Sequence, residues 1–291
     1  MKKITVIIIC FVLLCTGNVF AQEKDRQIVN AFFDFLATSP EDSITPYYTP
    51  NELMIKAALF LLDTPYVGAT LELNKEEELV INLRELDCMT LVENCLALSR
   101  AAQYPSPDFD YFVRELKNIR YRGGIIQAYT SRLHYTTDWI ADNVDKGVIE
   151  DITYALGGKR FQPNVNFMSS NPDLYPSLKG NQQNIERMRA IENAINQRTT
   201  HYYIPQHEIK EKQSLIKTGD IVCFTTSIPG LDIAHLGIAY WNKNQLTFVH
   251  ASSKHKKVLI NPESLADYCA MIKTNTGIMV LRPLSVNITN N

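Results

Sequence analysis

Apolar residues recur every three or four positions through the first quarter of the chain. Over residues 22–73 this spacing is carried by Ile28, Phe32 and Phe35, and then by Leu53, Ala57, Phe60 and Leu61. Such a period is typical of amphipathic helices. A turn-forming segment at residues 64–69 breaks the pattern, and a run of glutamates follows at residues 76–78. The pattern predicts leading helices followed by a loop.

The helical period returns at Cys88 and continues to about residue 102, with Leu91, Cys95 and Leu98 on one face. Asp87 stands directly before this segment, and aspartate is a preferred N-cap residue. The sequence therefore predicts a helix that begins at Cys88. A further helix is expected over residues 107–119.

From Gly219 onward the period is that of β-strands. Strands are predicted at residues 221–224, 235–241, 246–251, 258–260 and 277–281. The short turns between them favour antiparallel neighbours. Helices followed by a run of strands indicate an α+β fold.

A long polar and aromatic region separates the two halves of this pattern, at about residues 120–218. Only residues 182–196 within it have a helical period. A structureless loop of that length is improbable inside a compact domain. We interpret the region as an insertion that packs over the sheet.

The first residues have the features of an export signal. Lys2 and Lys3 precede an apolar run at residues 4–15, and small residues at 19–21 suit cleavage after Ala21. The run is too short to span a membrane. We therefore expect an exported, periplasmic protein without stable membrane insertion. A lipoprotein acylated at Cys15 is the less favoured alternative, because Leu14 stands where a small residue is expected.

The remaining chain, residues 22–291, is long enough to bury the core of a single domain, and 45% of the full sequence is hydrophobic. Cleavage after Ala21 would remove two lysines and leave 27 basic and 31 acidic side chains, a net charge of −4. A mildly acidic chain of this kind is not expected to bind nucleic acid or an anionic membrane. The oligomeric state stays open.

Cleavage would also leave the cysteines at positions 88, 95, 223 and 269. An exported chain could join four cysteines in two disulfides. Cys88 and Cys95 cannot pair on one helix, because seven residues separate them by about 10 Å. Cys223 and Cys269 lie in apolar strings, so buried free thiols are favoured.

Cys88 at a helix start, with His235 and His250 in strand segments, suggests nucleophilic chemistry. A helix N-terminus and a neighbouring imidazolium both lower the pKa of a thiol, and free N–H groups at Cys88 and Met89 could hold an oxyanion. His235 would be the base and His250 its orienting partner. The alternative is that the cysteine is inert and the histidines are structural.

Four ordered blocks of sequence resemble those of the NlpC/P60 cysteine peptidase superfamily. They are Asp87-Cys88-Met89-Thr90-Leu91-Val92, Gly219-Asp220-Ile221-Val222-Cys223-Phe224, His235-Leu236-Gly237-Ile238 and Phe248-Val249-His250-Ala251-Ser252. Pro65-Tyr66 with Gly68 resembles the block that precedes the cysteine there, although Ala69 replaces a glycine. The resemblance implies a papain-like core with Cys88 as nucleophile, His235 as base and His250 as orienting residue. His255 is a nearby rival for the third role.

The branch with the greatest similarity is the DUF1460 family, which resembles N-acetylmuramoyl-L-alanine amidases. The strings at residues 64–72, 84–88 and 131–139 carry this similarity. The 147 positions that separate Cys88 from His235 are a departure from the superfamily pattern, because many of its members place the two residues far closer together. It implies cleavage of the N-acetylmuramoyl-L-alanine bond in soluble peptidoglycan fragments, including disaccharide-peptides with 1,6-anhydro ends. Alternatives are a γ-D-glutamyl-diaminopimelate endopeptidase and a non-catalytic peptidoglycan-binding module.

Candidate substrate-binding residues come from the same strings: Tyr66, Asp87, Arg132, His134, Tyr135 and Trp139. Aromatic faces could stack on a sugar while Arg132 and His134 donate hydrogen bonds. Alternatively, Tyr135 and Trp139 pack the insertion. His134 and Asp138 suggest a zinc site, but no third ligand stands nearby, so neither a metal nor another cofactor is expected.

Overall fold

The computed structural model describes residues 22–38, 48–198 and 200–287. The predicted export signal, residues 1–21, and Cys15 lie outside the described residues. Among the described helices, none is long and apolar enough to cross a membrane.

Helices lead the chain, as the period predicted. Helix α1 covers residues 22–37, α2 Pro50–Phe60, α3 Cys88–Ala101 and α4 Phe109–Arg120. Each of the last three begins at a side-chain cap, provided by Thr49, Asp87 and Asp108. Caps satisfy backbone N–H groups that a helix start leaves unpaired. Helix α3 packs between α2 and α4 and is almost entirely buried.

The middle of the chain contains more regular structure than its sequence predicted. Its helices are α5 (Thr136–Asp145), α6 (Phe167–Ser170), α7 (Gln182–Gln197) and α8 (Ile209–Lys212). Its strands are β1 (Ile149–Asp151), β2 (Lys159–Arg160) and β3 (Tyr202–Pro205). The expectation that only residues 182–196 would be helical was therefore too narrow.

The five predicted strands all form, and each is longer in the structure than predicted. They are β4 (Ile221–Thr226), β5 (Ile233–Asn242), β6 (Gln245–Ser252), β7 (Lys257–Ile260) and β8 (Asn275–Pro283), with the short helix α9 (Leu265–Met271) before β8. Within the described ranges the strand order is β2-β3-β8-β4-β5-β6-β7, and β1 also pairs with β8. All these pairings are antiparallel, as the short turns indicated. The chain has a mixed α+β fold.

The sheet carries a core on each face. On one face Leu236, Ile238, Val249 and Ala251 belong to the same apolar cluster as α3. On the other face the apolar cluster comprises strand residues and residues of α9, including Val222, Phe224, Phe248, Leu265 and Cys269. A third, smaller cluster lies within the middle region and includes Tyr129, Tyr135, Val165, Met168 and Ile195.

Gly219 and Asp220 join the leading helices to the sheet. Gly219 has φ +89°, and a Cβ there would lie 2.1 Å from the carbonyl oxygen of Asn51. Only glycine fits this close approach. Asp220 accepts hydrogen bonds from Asn51 Nδ2 at 2.9 Å and from the Arg282 guanidinium at 2.8 and 2.9 Å. These contacts hold α2 against β4 and β8.

The cysteines at 88, 95, 223 and 269 are free, and all but Cys88 are buried. The buried free thiols favoured for Cys223 and Cys269 agree with this arrangement.

Candidate active site

Cys88 is the first residue of α3, and a reciprocal cap fixes that position. Asp87 Oδ1 accepts a hydrogen bond from the Thr90 N–H at 2.8 Å, and Thr90 Oγ1 accepts one from the Asp87 N–H at 2.8 Å. The predicted N-cap is thus confirmed. The helix consequently places Cys88, a partly exposed residue, at its N-terminal end, where backbone N–H groups lack helical partners.

Burial dominates the electrostatics of this thiol. It raises the pKa of Cys88 to about 12, and the Asp87 carboxylate adds to the increase. Backbone N–H groups of Leu236, Cys88 and Met89 lie close enough to the sulfur to lower the pKa, but they do not compensate. The sequence led us to expect a thiolate. The structure instead has a neutral thiol before substrate binds, although the N–H groups that would stabilise negative charge are in place.

The two predicted histidines meet on the sheet. His235 Nε2 lies 2.7 Å from His250 Nδ1, and the ring planes are nearly perpendicular, at 85°. This contact leaves Nδ1 of His235 available for another partner. Since the sulfur of Cys88 lies beside the N–H of Leu236, the next residue after His235, the thiol and this histidine belong to one site.

His255, the rival for the third role, is engaged elsewhere. Its Nδ1 lies 3.1 Å from Ser252 Oγ, and its N–H donates to the same oxygen. The geometry therefore pairs His250, and not His255, with His235.

Both histidines of the pair are neutral at pH 7. Burial lowers the pKa of His235 to about 4. Burial, followed by the neighbouring His235 and His255, lowers the pKa of His250 to about 3. Neutral imidazole is the form that can accept a proton from a thiol.

Aromatic rings surround the pair. The Tyr268 ring of α9 lies 6.1 Å from the ring of His235 and 5.7 Å from that of His250, measured between centroids. Burial, with Cys88 as the next cause, raises the pKa of Tyr268 to about 12. The same two causes, in the same order, raise the pKa of Tyr66, so the predicted Tyr66 also lies near the thiol. Tyr268 stands in no recognisable motif, so no signal in the sequence selects it.

Comparison with known proteins places this chain in a family. Residues 56–278 match the AmiA-like family, which is described as N-acetylmuramoyl-L-alanine amidase-like. This chain belongs to that family. No protein in the curated set matches it.

Several solved structures resemble this AmiA-like chain. An N-acetylmuramoyl-L-alanine amidase from Bacteroides uniformis is 40% identical, with a TM-score of 0.77 over 80% of this chain and 99% of that one. A Bacteroides fragilis protein, suggested to be a xylanase, is 41% identical, with a TM-score of 0.74 over 78% and 98%. A Legionella pneumophila DUF1460 protein is 22% identical, with a TM-score of 0.69 over 91% and 96%, and shows the shared fold. The resemblance to the DUF1460 family is confirmed.

Asp87, Arg132 and His134 line a pocket of 160 Å³ beside the start of α3. Arg132 is paired there with two carboxylates, Glu72 at 2.7 Å and Glu77 at 3.0 Å. His134 Nε2 lies 2.8 Å from the Tyr129 carbonyl oxygen, and burial followed by Arg132 lowers the pKa of His134 to about 3. These three predicted residues are therefore close together, but Arg132 already has its charge neutralised.

Tyr135 and Trp139 do not reach a surface. Trp139 is 0% exposed and packs in the main core. Tyr135 is 3% exposed, and its hydroxyl donates to Glu192 at 2.7 Å and accepts from the Met168 N–H at 2.9 Å. The suggestion that these rings stack on a sugar is wrong for this structure, because protein atoms cover both. Packing was the correct alternative.

Asp138, once paired with His134 as a zinc candidate, binds arginines instead. Arg122 Nη2 lies 2.6 Å and Arg198 Nη1 2.5 Å from its carboxylate oxygens. Among the described residues, no group of three or more His, Cys, Asp or Glu side chains is arranged to hold a metal ion.

Proposed function

We propose that this protein is a cysteine amidase that hydrolyses the bond between N-acetylmuramic acid and L-alanine in peptidoglycan fragments. The observation that carries the proposal is the His235–His250 hydrogen bond beside a cysteine at a helix N-terminus, in a chain of the AmiA-like family. The uniformis relative is named as an amidase for this bond.

The proposed reaction begins from the neutral thiol. As the sulfur of Cys88 attacks the lactyl carbonyl carbon, its proton passes to Nδ1 of His235. The N–H groups at the start of α3 stabilise the oxyanion. His235 then gives the proton to the leaving amine of L-alanine, which departs with the stem peptide. Water, deprotonated by His235, hydrolyses the thioester and releases the lactyl acid.

Neutral resting groups suit this sequence of steps. With a thiol pKa of about 12 and an imidazole pKa of about 4, proton transfer from Cys88 to His235 is unfavourable in the free enzyme. The transfer becomes favourable only where the negative charge that develops in the transition state is stabilised. The N–H groups around the sulfur provide that stabilisation as negative charge moves onto the substrate oxygen. A low reactivity of Cys88 in the free enzyme is therefore compatible with catalysis.

The proposal extends to fold and location. A helix-borne cysteine packed on a sheet that carries the histidines supports a papain-like NlpC/P60 core. Residues 1–21 would direct the protein to the periplasm, where peptidoglycan fragments are found. Soluble disaccharide-peptides, including those with 1,6-anhydro ends, are the proposed substrates.

Product mapping tests the reaction. A purified disaccharide-tetrapeptide is digested and analysed by mass spectrometry. The amidase releases an intact tetrapeptide and free disaccharide, whereas a γ-D-glutamyl-diaminopimelate endopeptidase leaves L-alanyl-glutamate on the sugar. Cys88→Ala and His235→Ala should abolish release. Cys95→Ala, which removes a buried thiol from the same helix, should retain it.

Three outcomes would contradict the proposal. Cleavage within the stem peptide would establish the endopeptidase, and release by Cys88→Ala would exclude the cysteine mechanism. Binding without cleavage by the unaltered protein would establish a non-catalytic module. Xylan serves as a second substrate, because the fragilis relative was suggested to be a xylanase. Most glycosidases need two carboxylates across the scissile bond, so no xylan cleavage is expected here.

A further inference from the structure

Asn261 lies on the same face of the sheet as His250. It follows β7 directly, and its N–H donates to the Phe248 carbonyl oxygen at 2.9 Å. Since Val249 pairs with Ile260, the next pair in this register is Phe248 with Asn261. Directly opposed residues of antiparallel strands share a face, and so do residues two apart on one strand. Asn261 and His250 are therefore diagonal neighbours.

Asn261 is held rigidly. It is 3% exposed, and its carbonyl oxygen accepts a hydrogen bond from Thr247 Oγ1 at 2.6 Å. Its side-chain nitrogen Nδ2 donates to the Glu263 carbonyl oxygen at 3.0 Å. With the nitrogen end so engaged, the oxygen Oδ1 is the end of the amide left to accept a hydrogen bond.

His250 has one nitrogen that needs such an acceptor. His250 is 2% exposed, and its Nδ1 lies within hydrogen-bonding distance of His235. Nε2 is buried without a hydrogen-bond partner at normal geometry among the described residues. A buried donor left unpaired costs about 1–3 kcal/mol. Burial has the largest effect on the pKa of His250 and lowers it, whereas the Asn261 side chain raises this pKa, as expected of a hydrogen-bond acceptor.

We propose that Asn261 is a positioning residue that fixes the tautomer of His250. Its Oδ1 accepts the Nε2–H of His250, so Nδ1 of His250 carries the lone pair. That lone pair accepts the Nε2–H of His235, and Nδ1 of His235 is left unprotonated toward the thiol. His235, His250 and Asn261 thus form a chain of hydrogen bonds that extends one residue beyond the histidine pair. The proposal rests on the Cys88–His235 mechanism above.

The surroundings of His250 offer other charged and titratable groups. His235 comes from β5, His255 from the turn after β6 and Tyr268 from α9, and Lys254 and Glu263 line the same cavity of 260 Å³. Asn261 lines this cavity too, and it is a buried neutral side chain whose amide orientation is fixed by the Glu263 carbonyl oxygen.

Nitrogen-15 NMR of the imidazole rings tests the tautomer directly, without any need for activity. In the unaltered protein at pH 7, His250 should have a protonated Nε2 and a bare Nδ1. The opposite tautomer, or an equal mixture, would overturn the proposal. Asn261→Ala should produce the mixture, whereas Asn261→Asp, which keeps an acceptor oxygen, should keep the tautomer.

Kinetics provide the second readout. Asn261→Ala should lower kcat at least about tenfold with little change in KM, because a mis-set histidine tautomer impairs proton transfer and leaves binding intact. Asn261→Asp should retain most of kcat but move the acid limb of the pH profile upward, since a carboxylate beside His250 favours protonation of the hydrogen-bonded histidine pair, after which His235 can no longer accept the thiol proton. Asn143→Ala is the matched control, because Asn143 is a buried asparagine that donates to Ile119 and Trp139.

Alkylation of Cys88 by iodoacetamide separates this proposal from the proposed amidase function. The rate depends on His235 as base and requires no substrate, so Asn261→Ala should slow it relative to Asn143→Ala. An inactive protein that still shows the expected tautomer and alkylation rates would contradict the amidase assignment alone. If Asn261→Ala and Asn143→Ala change kcat and the alkylation rate equally, and the tautomer of His250 is unchanged, Asn261 has only a structural role.

Discussion

Asp87 both caps the helix of Cys88 and raises the pKa of its thiol, and two substitutions can separate these effects. Asp87→Ala removes the acceptor and the charge, whereas Asp87→Asn removes only the charge, because asparagine caps helices equally well. In the structure Oδ1 of Asp87 accepts from both the N–H and the hydroxyl of Thr90, each at 2.8 Å. Thr90 is buried, so losing this acceptor leaves its N–H unpaired away from water.

The stability change follows from this cap. Asp87→Ala should lower the free energy of unfolding by about 1–2 kcal/mol, the loss of an N-cap with a buried partner. Asp87→Asn should change it by less than about 0.5 kcal/mol. Denaturant unfolding measures both values.

The thiol should respond to the charge and not to the cap. Asp87 follows burial as a cause of the raised pKa of Cys88, so both variants should lower this pKa. Iodoacetamide alkylation across a pH series measures the change, and each tenfold increase in thiolate corresponds to about 1.4 kcal/mol. If Asp87→Asn leaves the alkylation profile unchanged, the carboxylate does not act on the thiol. If it destabilises the protein as much as Asp87→Ala, the cap depends on charge and the separation fails.

Three further predictions concern buried groups. Glu93→Ala should lower the free energy of unfolding by about 3–5 kcal/mol, measured by denaturant unfolding. The reason is that Arg120, whose Nε donates to Glu93 Oε2 at 2.6 Å, would stay buried without its carboxylate partner. A loss below about 1 kcal/mol would show that water reaches Arg120. As the pH is lowered, kcat/KM should stay constant down to about pH 4, where His235 becomes protonated and can no longer accept the thiol proton. If kcat/KM instead falls with a midpoint near the ordinary pKa of histidine, the effect of burial on His235 is contradicted. Tyr268→Phe, which keeps the ring against both imidazoles, should keep most of kcat, whereas Tyr268→Leu should lower it; equal losses would mean that the hydroxyl, and not the ring, matters.

The sequence correctly predicted the helices and strands that are determined by residues adjacent in the chain. Asp87 marked the start of α3, and alternating apolar residues located the five strands from β4 to β8. The spacing also brought His235 and His250 onto neighbouring strands, where β-strand alternation places both on the face of Phe248. These features depend on a few adjacent residues, so one sequence suffices.

Long-range contacts explain what the sequence missed. Helix α5 has no side-chain cap of its own, and Asp232, 95 residues away, accepts hydrogen bonds from the N–H and hydroxyl of Thr137 at 2.7 and 2.8 Å. Arg132 was predicted to contact a glycan, but Glu72 and Glu77 from the acidic loop neutralise it. The raised pKa of Cys88 likewise depends on burial, which cannot be read from the sequence motif around the cysteine.

The middle region therefore supports the site in a different way from the one its aromatic residues suggested. Its strands β1 and β3 pair with β8, and Trp139 and Tyr135 are covered by protein. One connection from this region to β5 runs through Asp232, which also accepts a hydrogen bond from the Ile233 N–H at 2.8 Å, where β5 begins. Because His235 lies two residues further along β5, the hydrogen bonds between Asp232 and Thr137 tie the region after Arg120 to the placement of His235. The 147 positions between Cys88 and His235 thus contain a support for His235 rather than an aromatic platform for a sugar.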